Sequence, residues 1–122
     1  MPKKSMETLT ETMFYVLMAL SRGEMCGIEV SEYVERQTEG RVLIGPATLY
    51  TILGKFEHEH WIEEICVEGR KRTYRITVWG LDAYRTEIAR LEVCLRDAAA
   101  PVPVKGGDVH ENRYTADPLP TI

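Results

Sequence analysis

Four cations, Arg70, Lys71, Arg72 and Arg75, fall within a short stretch that has Glu68 as its neighbouring acid. Such a cluster attracts phosphate oxygens, and each phosphate it neutralises releases counterions, so its binding to nucleic acid is steeply salt-dependent. The whole chain of 122 residues carries a formal net charge of -4. Any hold on nucleic acid must therefore come from a local patch and not from bulk attraction. A second set, Thr48, Tyr50, Thr51 and Lys55, offers hydroxyls that suit phosphates and base edges, a phenol suited to phosphate or a thymine methyl, and one ammonium. Lys3 and Lys4 add nonspecific cations near the N-terminus. No residue in the second set makes the bidentate contact to guanine or adenine that would announce an operator. The competing structural roles are a solvated turn for the cations, a half-buried aromatic for Tyr50 and a helix cap for Thr48.

Other chemistries are less well supplied. His58 and His60 with Glu57 or Glu59 are the nearest approach to a metal constellation, but residues two apart on a helix point to different sides, so a surface histidine pair is expected. Cys26, Cys66 and Cys94 are an odd number at wide spacings, which suggests neither a disulfide framework nor a zinc site. They are expected to be reduced and mostly packed, although Cys66 lies near enough to the cations for a redox role to be considered. No known nucleophile or nucleotide-binding signature is present, so the chain is read as no enzyme, with no cofactor and no metal.

The elements that must position the two polar sets follow from periodicity. Leu9, Met13, Val16, Leu17 and Leu20 recur at helical spacing, and Thr8 with Glu11 has the form of a capping box, so a first helix is predicted from Thr8. Val30, Tyr33, Val34 and Gln37 mark a second helix ending near Gly40. Arg41–Ile44 is read as a brief β-type run, after which Pro46 suits the first turn of a third helix. Along that helix Leu49, Ile52, Leu53 and Phe56 form one apolar face and leave Thr48, Thr51, Lys55 and His58 on the other. Residues 61–67 and 73–77 read as strands of a hairpin whose tip, 68–72, carries the cations.

After Gly80 the residues Leu81, Tyr84, Ile88, Leu91, Leu95 and Ala98 alternate by three and four, the spacing of a coiled-coil seam. The same stripe would serve a helix packed on its own domain, but a continuous seam late in the chain favours a partner helix. Dimerisation is therefore expected through Leu81, Tyr84, Ile88, Leu91 and Leu95. From Ala99 prolines and glycines break regular structure, so a disordered tail is expected. The predicted organisation is a flexible arm over 1–7, a DNA-binding domain over 8–78, a dimerisation helix over 79–98 and the tail over 99–122. The fold class is α+β and mostly helical: a winged helix-turn-helix with a C-terminal dimerisation helix.

Residues 27–30, Ile44-Gly45-Pro46-Ala47-Thr48-Leu49-Tyr50-Thr51-Ile52-Leu53 with Phe56-Glu57, Trp61-Ile62, and 69–77 leading to Gly80 together resemble the PadR family of transcription regulators. The resemblance implies a dimer whose C-terminal helices exchange contacts, a recognition helix built on Thr48-Leu49-Tyr50, and repression often relieved by a small aromatic or drug-like ligand. Cys26 stands where the family usually has an aromatic, and His60 and Trp61 replace its usual small, glycine-containing turn.

The functional expectation is a cytoplasmic repressor that binds double-stranded DNA at an inverted repeat as a homodimer, with an effector cavity near Met13, Trp79, Leu91 and Leu95. No apolar run approaches the ~20 residues a membrane span needs, so no membrane partner is expected. The alternative of a different class is a winged-helix module that binds protein, which an uncharged hairpin tip would favour and the cationic one here does not.

Overall fold

The computed structural model describes residues 8–100 and 102–104. The arm expected over 1–7, with Lys3 and Lys4, and nearly all of the expected tail lie outside the described residues. The elements run α1 (Glu11–Ser21), β1 (Met25–Cys26), α2 (Gly27–Gln37), α3 (Pro46–His58), β2 (Ile62–Glu68), β3 (Lys71–Ile76) and α4 (Val78–Ala99). This is an α+β winged helix-turn-helix, in which a three-stranded antiparallel sheet of order β1-β3-β2 accompanies the helices. No helix among the described residues is long and apolar enough to cross a membrane.

The α1 helix begins later than the Thr8–Glu11 pattern suggests. Thr10 is its cap, and the Thr10 hydroxyl accepts from the Met13 N–H at 3.1 Å. The apolar spacing is as read: Met13, Val16, Leu17 and Leu20 are buried together with Val30 and Val34 of α2 and Leu49, Ile52, Leu53 and Phe56 of α3. Removing a side chain of this size from water contributes roughly 1.5–3 kcal/mol. The three-helix core is therefore what sets the outer face of α3.

Two helices end in the same way. After α2 the Gly40 N–H donates to the Glu35 carbonyl and the Glu39 N–H to that of Arg36. After α3 the Trp61 N–H donates to Phe56 and the His60 N–H to Glu57. Both are Schellman closures, with Glu39 (φ 53°) and His60 (φ 63°) in the left-handed position that glycine usually fills. His60 thus lies beyond the helix, and the pairing of His58 with His60 on one helix does not arise. The Trp61 ring closes the second motif, 5.5 Å from that of Phe56.

The run Arg41–Ile44 is not a strand. Its backbone is met by a side chain instead of a ladder: the buried Thr38 hydroxyl accepts from the Val42 N–H at 3.0 Å and donates to the Val34 carbonyl at 2.8 Å. The Arg41 guanidinium reaches Glu11 at 2.7 Å and the Tyr15 hydroxyl at 3.0 Å, fastening this connection to α1.

By packing, the chain divides into two compact units, residues 1–91 and 92–122. In the first unit the opening turns of α4 are spent on the chain itself. Tyr84, expected in a dimer seam, is buried and stacks on Phe14 at 5.5 Å between ring centroids, and Leu81 and Ile88 pack partly against the same core. In the second unit Val93 and Leu95 are exposed, Leu95 by 71%. The cysteines also divide: Cys26 is buried, while Cys66 and Cys94 are exposed, against the expectation that they are mostly packed. Cys66 lies past an irregularity in the β2–β3 register, in the outer part of a hairpin that has no core beneath it.

Candidate nucleic-acid interface

The α3 face that carries the polar set is open. Thr48, Tyr50, Thr51 and Lys55 are all exposed, Tyr50 by 47%, while their apolar neighbours hold the helix to the core. Pro46 at the first turn and Gly45 as cap start the helix, and no acid stands in its first turn to repel an anion.

The hairpin is tighter than its sequence suggests. Its ladder runs out to Glu68 opposite Lys71, leaving Gly69 (φ 64°) and Arg70 as a two-residue turn. Lys71 and Arg72 therefore sit on a strand and not on a loose tip. Glu63, Glu64 and Glu68 on β2 reduce the net charge of residues 62–76 to +1. Arg72 pairs with Glu64 at 3.1 Å, and Arg75 with Glu63 at 2.7 Å. Exposed pairs of this kind are worth about 0–1 kcal/mol, so a phosphate can compete for either arginine. Arg70 and Lys71 form no ion pair or hydrogen bond with another described residue.

Strand β1, too short to read from sequence, decides where these cations lie. Cys26 pairs with Thr73 and Met25 with Tyr74, and α2 starts at the next residue, Gly27. That register brings Lys71 and Arg72 beside the first turn of α2. A groove of about 440 Å³ results, lined by Cys26, Gly27, Ile28, Glu29, Tyr50, Arg70, Lys71 and Arg72. Free backbone N–H groups at a helix start favour anions, and the three cations lining the same groove act in the same direction. One acid intrudes: the Glu29 carboxylate accepts from the Cys26 N–H at 2.8 Å, and that bond holds its carboxyl below the usual carboxylate range, with the Cys26 thiol and then Lys71 adding to the effect.

Sequence reasoning placed Tyr50 and the cations correctly on exposed surface but did not connect them with Gly27, Ile28 and Glu29. The signal for that connection was Cys26-Gly27-Ile28-Glu29 opening α2, since Glu29 stands three residues after the cap as in a capping box. The four residues offered for an effector cavity are differently placed. Met13 is core, Leu91 is half-buried, Trp79 is 52% exposed and Leu95 is exposed in the second unit. None of them lines the groove.

The sequence profile of the transcriptional regulator PadR-like family matches residues 16–86. No curated protein matches the sequence significantly. Among solved structures, a transcriptional regulator from Clostridium thermocellum is 26% identical, with a TM-score of 0.65 over 75% of this chain and 92% of that one. The PcaV transcriptional regulator from Streptomyces coelicolor, solved with its natural ligand, is 18% identical, with a TM-score of 0.62 over 90% of this chain and 74% of its own. PadR from Bacillus subtilis, solved with operator DNA, is 18% identical, with a TM-score of 0.59 over 88% of this chain and 58% of its own.

Proposed function

The chain belongs to the PadR-like family of transcriptional regulators, a family of regulators and not of enzymes, and from that premise we propose that it is a repressor binding an inverted-repeat operator as a homodimer. The groove carries the reading: Tyr50 from the exposed face of α3, the start of α2 and the wing cations Arg70, Lys71 and Arg72 line one surface. Thr48, Thr51 and Lys55 enter the major groove, Tyr50 and the wing cations hold flanking phosphates, and Lys3 and Lys4 add nonspecific contacts. The PadR relative solved with operator DNA supports this docking.

Two copies associate through α4, with Leu81, Ile88 and Leu91 half-buried in the first unit and Leu95 exposed in the second. Tyr84 contributes by supporting Phe14 from within the chain. The dimer sets two recognition helices about one DNA turn apart, roughly 34–36 Å. A small aromatic or drug-like effector acts by changing that separation. Trp79 is its best-placed contact, because Met13 is committed to the core. The proposal keeps the division into an arm over 1–7, a winged helix over 8–78, a dimerisation helix over 79–98 and a tail over 99–122.

Genome fragments selected by the purified protein across a salt series test the proposal. Recovery of an inverted repeat with steep salt dependence supports it, and no enrichment at low salt overturns it in favour of a protein-binding module.

A further inference from the structure

We propose that Gly27 is a positioning residue for DNA binding: lacking a side chain, it lets the Tyr50 phenol lie against the first turn of α2 and present its hydroxyl in the groove beside Arg70 and Lys71. The inference rests on the DNA-binding reading above and adds to it a residue that touches no DNA.

Gly27 is buried, and its φ is not in the positive region where glycine is needed for the backbone. The reason for glycine is space. A β-carbon built there would stand 2.5 Å from the Tyr50 hydroxyl oxygen, 2.9 Å from its ring carbon Cζ and 3.3 Å from Cδ2 of Leu49. The first two separations are closer than real β-carbons come to other atoms. Among the described residues the Tyr50 hydroxyl has no hydrogen-bond partner, although it lines the same groove as three cations. A phenol held there can donate to a phosphate oxygen.

The atoms in conflict belong to the far end of a flexible side chain, so an alanine at this position is accommodated by swinging the phenol away. Folding is little affected, while the hydroxyl loses its place. Because the phenol is neutral, its loss removes a hydrogen bond without changing how many counterions are released. The salt slope separates this effect from loss of a wing cation, which flattens it, and the melting temperature separates it from partial unfolding.

The test is a binding titration of the full chain with a duplex of random sequence, repeated over a salt series, for Gly27→Ala, Tyr50→Phe, Tyr50→Ala and the double variant Gly27→Ala with Tyr50→Ala. Gly27→Ala and Tyr50→Phe are each expected to weaken binding roughly tenfold with the salt slope and melting temperature unchanged. In the Tyr50→Ala background Gly27→Ala is expected to cause no further loss. Unchanged affinity in Gly27→Ala, or a loss that adds fully to that of Tyr50→Ala, overturns the inference. If Gly27→Ala fails to fold, the double variant, which relieves the conflict, is expected to fold and to match Tyr50→Ala; a double variant that also fails overturns it. Arg70→Ala with Lys71→Ala is the control. If that control weakens binding and Gly27→Ala does not, the positioning role alone is lost, whereas a wild-type protein that binds no duplex overturns both readings.

Discussion

Cys26 pairs with Thr73 across the β1–β3 ladder, and because α2 begins at the next residue, that one pair fixes the wing against the start of the second helix. The anion-favouring end of α2 and the wing cations therefore line the same groove, and those cations differ in how free they are to use it.

Arg70→Ala and Lys71→Ala should each weaken binding to any duplex and flatten the salt slope by about 0.9 for every phosphate left unneutralised. Arg72→Ala should cost less, because Arg72 is shared with Glu64. Glu64→Gln should strengthen binding by freeing Arg72. Titrations over a salt series measure all four, and an Arg72→Ala loss larger than that of Lys71→Ala would show the Glu64 pair to be absent in solution.

His60→Gly should stabilise the fold by about 0.5–1 kcal/mol, because His60 holds φ 63° in a closure where glycine carries no β-carbon penalty. For a domain of this size that raises Tm by a few degrees. Thermal unfolding checks it, with Glu39→Gly (φ 53°) as a second instance.

Gly80→Ala should destabilise by about 2–3 kcal/mol. A β-carbon there would collide with the Trp61 carbonyl oxygen and lie 2.9 Å from Cγ1 of Ile76. Unlike the phenol at Gly27, this obstacle is backbone, itself fixed where the Thr77 N–H donates to it at 2.9 Å. Urea unfolding of the variant reads the loss directly.

Glu29→Gln should lower stability at neutral pH and make it less dependent on pH in the acid range. The Cys26 N–H holds the Glu29 carboxyl below its ordinary value in the folded chain. Its contribution is thus present above the usual carboxylate range and fades as pH falls through the lowered value. The urea midpoints of wild type and variant should differ at neutral pH and draw together as the pH falls through and below the usual carboxylate range. A difference that persists in acid would assign the effect to packing and not to the charge.

How much of this was legible in the sequence varied with the range of the interaction. Local periodicity marked out helices one to three, the buried and exposed faces of α3, and a hairpin after Trp61, because burial at a fixed angular spacing leaves its mark on neighbouring positions.

Residues 42–44 looked like a strand because their side chains are β-branched or apolar, yet the backbone there is satisfied by Thr38. No local propensity encodes that choice. The seam in α4 presented one stripe with two physically valid uses, and it was the stacking of Tyr84 on Phe14 that committed its first turns to the chain's own core.

By itself the sequence determined the order of the helices and the hairpin, the inward face of each early helix and the chemical character of the cations, all of which depend on residue type and short-range spacing. The tertiary structure alone decided that two residues, Met25 and Cys26, would pair with β3, that Glu63 and Glu64 would reach across to Arg75 and Arg72, and that Gly27 would leave room for Tyr50. Each of these brings together groups well separated along the chain, from 8 residues for Glu64 and Arg72 upward. Such pairings form only when the core has already repaid the entropy of closing the chain between them.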